Sequence, residues 1–388
     1  MVVIKQNGVG TIENRQTNTK TSHQYEVLPP STLPIYKVKQ EEKLKFKELV
    51  DFCVEKYPNE DNHEFLCYSP YLAYEYLKGT ELFEKINSFR YGWGYFDFGA
   101  LKIVGLFDVN QVELGGTPSD YDKESYSKSK WYRFSQVLIH GILNTVVMNY
   151  LYQRPGTVHS IIQRHGMENT ETSSGIVKLS KHNEDNLLKS SADFITFGFL
   201  RNFECTSSIL TSIRSIPDIY DKWYFDILFD GKFKYPADGN YNPQPVYDGG
   251  GILYGNRQYP KIRFDPTEQL KDFVGHTPIQ REALMALDKD LESVKVEDIP
   301  EAGDIYLINN KIVLHYRAQV NVGLTPDKQP CERRWMLRTL SVESFGYMQG
   351  FAHPENPRLI IEKGCGHIYS SNELRDFDLR NPVLKNID

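Results

Sequence analysis

The sequence contains no long apolar run and no pair of cysteines at metal-ligand or redox spacing. Its most apolar stretch, Trp131 to Leu151, is interrupted by Arg133, His140, Asn144 and Asn149. The clean runs within it fall well short of the ~20 residues a membrane helix needs, so it reads as one long helix buried in the protein. The opening segment MVVIKQNGVGTIENRQTNTK has no apolar core of the secretory kind. The five cysteines (53, 67, 205, 331 and 365) are odd in number and form no CxxC. Free thiols in a reducing, cytoplasmic setting are the expectation. Positive charge is not in excess: 45 Lys and Arg face 51 Asp and Glu, for a net charge of −6. That balance argues against the basic face a nucleic-acid partner requires. GxSxG, P-loop and HExxH are all missing, so the hydrolase and phosphate chemistries they carry have no support. Gly249-Gly250-Gly251 lacks a following Lys-Ser/Thr and reads as a lid or turn. The expected partner is a small molecule rather than a nucleic acid or membrane, with self-association left open.

Aromatic residues are plentiful, with 25 Tyr and 21 Phe in 388 residues. This supplies a large core and argues against disorder. The length suits one decorated domain or two. Residues 1–30 are polar and close with Pro29-Pro30, which suggests a loose tail. Phe46, Leu49, Val50 and Cys53 recur at helical spacing, and a second helical run spans Tyr71–Phe89. Gly99 to Gly105 brackets a short buried strand.

From about residue 155, short apolar runs alternate with Pro, Gly and Asn clusters: Ile176–Leu179, Phe194–Leu200, Ser208–Ile213, Trp223–Phe229, Gly251–Tyr254 and Ile262–Phe264. All six read as strands. One helix interrupts them, capped by Thr277-Pro278-Ile279-Gln280. Ile305–Ile308, Asn309-Asn310 and Lys311–Tyr316 read as a hairpin, and Trp335–Leu340 as the last strand. The expected fold class is α+β: a jelly-roll (double-stranded β-helix) core with N-terminal helices, an inserted helix and a C-terminal extension. The predicted organisation is one domain over 31–388. Its helical part spans 40–155, its jelly-roll core about 155–345, and its extension 346–388.

The chemistry centres on His182-Asn183-Glu184. Two imidazoles and a carboxylate on one face of a metal leave positions open for an oxidant and a cosubstrate, as in non-haem Fe(II) oxygenases. An HxD/E triplet is weak alone, since roughly 1.3 are expected from composition. The rival, His353-Pro354-Glu355, has a proline that disfavours a central strand, and only His367 follows it. His182 and Glu184 follow an apolar run and, if extended, share a face. His315 falls in a predicted strand far downstream. Arg334 and Arg338 bracket Trp335-Met336-Leu337 and also share a face of a strand, where each guanidinium can take a carboxylate. Zinc would accept the same His2Glu set, and a non-catalytic metal-binding jelly roll is a further reading. Neither accounts for the two arginines.

In order along the chain, several segments resemble the clavaminate synthase-like Fe(II)/2-oxoglutarate dioxygenases that hydroxylate free amino acids, the lysine hydroxylases most of all. They are Thr172–Glu184, Ala192–Arg201, Gly303–His315 and Arg334-Trp-Met-Leu-Arg338. The resemblance covers roughly residues 90–340. It implies iron bound by His182, Glu184 and His315, with 2-oxoglutarate and O2 as the other cofactors. It also implies that Arg334 clamps the distal carboxylate of 2-oxoglutarate and that Arg338 holds the substrate's α-carboxylate. Asp265, in Ile262-Arg-Phe-Asp265, matches an acidic position that holds a basic side chain. The His315–Arg334 spacing exceeds the family's usual one, which leaves Arg333 as an alternative clamp. Thr267 replaces a second acid, which favours a single ammonium over a guanidinium. The implied reaction is hydroxylation of a free basic L-amino acid, lysine before arginine or a neutral one, with release of succinate and CO2. Glu184 fills the position that related halogenases leave empty for chloride.

Overall fold

A computed structural model describes residues 32–380, except 93–95, 107–108, 110–113, 115, 118–126, 154–155, 165, 237–244 and 323–333. The proposed tail, residues 1–30, and Arg333 lie outside the described residues.

After a short first strand come three helices: α1 (Gln40–Lys56), α2 (His63–Leu77) and α3 (Glu81–Phe89). The run predicted over Tyr71–Phe89 is therefore two helices. Gly79, at φ +79°, ends the first, and the Thr80 side chain caps the second by accepting from Phe83 N. The predicted helix Trp131–Leu151 is likewise divided. Helix α4 (Lys130–Leu143) stops at Asn144, which takes φ 53° and ψ 51°. The β-branched pair Val146-Val147 then opens a strand.

The strands form two main sheets. The larger has eight strands: β1 (Ile35–Lys37), β2 (Ala100–Val104), β3 (Val146–Tyr150), β4 (Val158–Ile162), β6 (Phe194–Arg201), β9 (Ile305–Asn309), β11 (Trp335–Val342) and β12 (Leu359–Ile360). Their order is β1-β2-β9-β6-β11-β3-β12, with β4 also paired to β11. The smaller sheet comprises β5 (Leu179–His182), β7 (Ser208–Ser212), β8 (Val296–Asp298) and β10 (Val313–Arg317) in the order β8-β7-β10-β5.

Alternation along the central strands assigns the two faces of the large sheet. Ile305, Leu307, Trp335 and Leu337 pack with α1–α4 in one core, while Tyr306, Ile308, Phe197, Phe199 and Met336 belong to a second. The second core also contains Leu210 and Leu314 of the small sheet. It continues into α7 (Pro278–Ser293), which starts at the predicted Thr277 capping box.

Further readings change. Of Ile176–Leu179 and Ile262–Phe264, both expected as strands, only Leu179 and Ile262 lie in one. Trp223–Phe229, expected as a strand, holds the short helix α5 (Phe225–Asp230), whose Phe225 and Leu228 are buried. An apolar run of this length does not by itself distinguish strand from buried helix. The Asn309-Asn310 turn does not close a hairpin either. β9 pairs with β2 and β6, whereas β10 pairs with β5 and β7. The chain crosses here from one sheet to the other, because Asn310 is buried and bonded into the segment after β5. Gly249–Gly251 forms a packed turn: a Cβ on Gly251 would lie 2.3 Å from the Phe229 carbonyl oxygen.

Candidate active site

His182 and His315 are cross-strand partners on β5 and β10, which places two imidazoles side by side. Their ring centroids are 4.6 Å apart. Glu184 lies two residues beyond His182, past the end of β5. It returns its carboxylate to the same place, with Oε2 3.6 Å from His315 Nε2. Ligand atoms of His182, Glu184 and His315 all lie within 4.8 Å of one another. Period-2 alternation foresaw the meeting of His182 and Glu184. The geometry that achieves it is a turn rather than a continuous strand, and Asp185 adopts φ 53° directly after the carboxylate.

That turn is held by two buried asparagines. Asn310 Oδ1 accepts from Glu184 N at 2.9 Å, and its Nδ2 donates to the carbonyls of Glu184 and Ala192, each at 3.0 Å. Asn183 Nδ2 donates to the Asn310 and Val313 carbonyls, and its Oδ1 accepts from Phe264 N. Sequence reasoning took Asn310 for a turn residue and Asn183 for a spacer. Only their burial, at 1% and 4% exposure, reveals the role.

The donor set fits a divalent transition metal. His182 Nδ1 donates to the Ser180 carbonyl at 2.7 Å, which fixes the tautomer and leaves Nε2 as the ligand atom. Burial, reinforced by neighbouring His182, lowers His315 to about 4, so it is neutral as a ligand must be. Burial alone would raise the Glu184 carboxyl, but the Arg338 guanidinium and His315 outweigh it and hold the group well below the usual carboxylate range.

The cluster opens into a cavity of about 520 Å³ between the sheets. Met336 and Arg338 line it from β11, Arg334 from just before that strand begins, and Asp265 from elsewhere on its wall. Arg338 donates to Glu184 Oε1, to Gln153 Oε1 at 3.0 Å and to His159 Nδ1 at 3.2 Å. Arg334 is 5% exposed and its Cζ sits 5.5 Å from the Phe199 ring centroid. Asp265 caps the short helix α6 (Pro266–Gln269), accepting from Glu268 N at 3.3 Å. Burial pushes its carboxyl up to about 6, against the pull of His182 and the Glu268 amide. Arg317, two residues beyond His315 on β10, also lines the cavity. The sequence reading passed over it, although its place in the strand period was the available signal. The rival triplet lies apart: Glu355 is exposed, and its N–H donates to His353 Nδ1 in a turn.

Among solved structures, the chain is similar to the non-haem iron oxygenase OrfP in complex with Fe, succinate and (3S)-hydroxy-L-Arg. The two share 21% identity and a TM-score of 0.71, over 84% of this chain and 99% of that one. Asparagine oxygenase in complex with Fe(II), 2S,3S-3-hydroxyasparagine and succinate gives 17% and 0.72, over 84% and 98%. These likenesses define the fold as that of non-haem iron oxygenases. No family model matches the chain. Two curated relatives are closer in sequence. The chain is 33% identical over 362 residues to an L-lysine 4-hydroxylase of Chitinophaga pinensis, covering 89% of this chain and 92% of the relative. It is 35% identical over 288 residues to one of Flavobacterium johnsoniae, covering 70% and 75%. The chain belongs to the L-lysine 4-hydroxylase family of Fe(II)/2-oxoglutarate-dependent oxygenases. It is thus an enzyme whose cofactors are Fe(II), 2-oxoglutarate and O2.

Proposed function

We propose that this enzyme hydroxylates C4 of free L-lysine in a double-stranded β-helix core, with His182, Glu184 and His315 as the iron ligands. The observation that carries the reading is the convergence of those three side chains in one cavity whose wall bears both cations and a half-buried acid. When bound there, iron with 2-oxoglutarate and O2 supplies the oxidising power for an unactivated C–H bond, and succinate and CO2 are the co-products.

The protein's own residues supply ligation, position and dryness. Arg334 takes the distal carboxylate of 2-oxoglutarate. Arg338 takes the α-carboxylate of lysine while steadying Glu184 from its other oxygen. Asp265 takes the ε-ammonium, and a single acid suits a single ammonium. Anchoring both ends of lysine selects which methylene faces the metal, and a misplacement of about 1 Å costs on the order of 10²-fold in rate. The buried walls formed by Phe197, Phe199 and Met336 keep water from competing.

The test is turnover with Fe(II), 2-oxoglutarate and single amino acids. Lysine is expected to drive succinate formation and to gain one oxygen at C4, located by NMR of the product. Succinate formation driven by arginine or a neutral amino acid, and not by lysine, would replace the substrate. Unchanged iron binding in His182→Ala would remove the metal site.

A further inference from the structure

We propose that Arg317 joins Arg334 in a two-arginine cradle for the distal carboxylate of 2-oxoglutarate. The inference rests on the cofactor reading above and extends it to a residue that reading does not use.

Arg317 follows His315 by two positions on β10, so both side chains leave the strand on the cavity side. It is 5% exposed, as is Arg334. Guanidinium groups that deep are ordinarily paired with a carboxylate. Among the described residues, neither has one. Arg317 donates only to backbone carbonyls, of Val177 at 2.8 Å and Thr172 at 3.5 Å. The one hydrogen bond of Arg334 goes to Met336 Sδ. In both, Nε is buried with no partner. Glu204 attracts Arg334 but forms no ion pair with it, whereas Arg317 is near enough to repel it. Two buried cations that face one cavity and repel each other form a site for an anion.

Position identifies which anion. Arg338 bonds Glu184 and so sits beside the metal ligands. Arg334, just before β11 begins, is four residues away along the chain, roughly 13 Å for an extended backbone. The Arg317–Arg334 pair therefore lies toward the end of the cavity remote from Arg338. A ligand that chelates the metal through its keto-acid end sends its other carboxylate away from the metal, into such a site. A carboxylate can accept from both guanidiniums at once.

The test compares two ligands of the anaerobic Fe(II) protein by calorimetric titration: 2-oxoglutarate, and 2-oxopentanoate, which lacks the distal carboxylate. Arg317→Gln is expected to weaken 2-oxoglutarate by roughly 10- to 100-fold, the range of a charge-assisted hydrogen bond. It is expected to leave 2-oxopentanoate within about threefold, since the shared keto-acid end is untouched. Arg317→Lys, which keeps the charge and serves if the glutamine variant does not fold, is expected to recover part of the loss. Equal weakening of both ligands would show that Arg317 only supports the 172–177 backbone, and would overturn the proposal. So would unchanged 2-oxoglutarate affinity in either variant. If the wild-type Fe(II) protein bound no 2-oxoglutarate, the cofactor reading itself would fall, and the cradle with it.

Discussion

Replacing Asn310 with alanine tests how the turn that carries the proposed ligand Glu184 is built. The side chain satisfies three buried backbone groups: the N–H and C=O of Glu184 and the C=O of Ala192, at 2.9, 3.0 and 3.0 Å. Removing it orphans all three. Each buried unsatisfied group costs about 1–3 kcal/mol. Water entering the vacated space recovers part of this, so the expected destabilisation is about 3 kcal/mol rather than the full sum. The second consequence is local. Glu184 is placed by a turn that Asn310 closes, so its carboxylate loses register with His182 and His315. Loss of such supporting bonds lowers metal affinity by about 10–100-fold. Urea unfolding of the metal-free protein measures the first effect, and titration with Fe(II) or Mn(II) under anaerobic conditions measures the second. Asn310→Asp keeps an acceptor for Glu184 N but turns a buried carboxylate oxygen toward the two carbonyls, so it should be no more stable than alanine. A variant with stability within 0.5 kcal/mol of wild type, about the scatter of surface substitutions, and with unchanged metal affinity would refute the account of the turn.

Glu184→Ala, which deletes one of the three proposed ligands, is expected to abolish iron binding at micromolar metal while leaving the secondary structure intact by circular dichroism. Asp265→Asn is expected to raise the KM for lysine by at least tenfold with little change in the KM for 2-oxoglutarate; parallel changes in both would deny Asp265 its assigned role. Because burial raises Asp265 to about 6, the carboxylate proposed to grip the ammonium is lost as pH falls. The wild-type KM for lysine should climb below pH 6, or lower once iron's charge is present, and Asp265→Asn should flatten that climb. Far from the site, Glu60→Ala would remove a buried carboxylate now 2.5 Å from Arg133 Nε, whose side chain is 3% exposed. Loss of about 3–5 kcal/mol is expected in urea melts.

Much of the site was legible because its ligands obey local rules. Strand period connected His182 to Glu184 and Arg334 to Arg338, and the order of motifs along the chain singled out this triplet over the one at His353. Element type was legible wherever a run was long or capped, as at Thr277-Pro278. Short apolar runs were less so, and Trp223–Phe229 was misread because four to seven apolar residues fit a strand and a buried helical turn equally well. The Asn309-Asn310 crossover was misread for a different reason. Turn chemistry describes the bend of the chain, whereas the sheet each arm joins depends on partners more than a hundred residues away.

By itself, then, the sequence determined which chemistry is available: a His2Glu donor set and arginines spaced for one strand face. Tertiary structure alone decided the rest. It made His182 and His315 cross-strand neighbours. It turned two unremarked asparagines into the clamp on Glu184, and it buried Arg317 and Arg334 without an ion pair among the described residues. Backbone periodicity is encoded in neighbouring residues, while burial and charge compensation arise only when distant segments exclude water together.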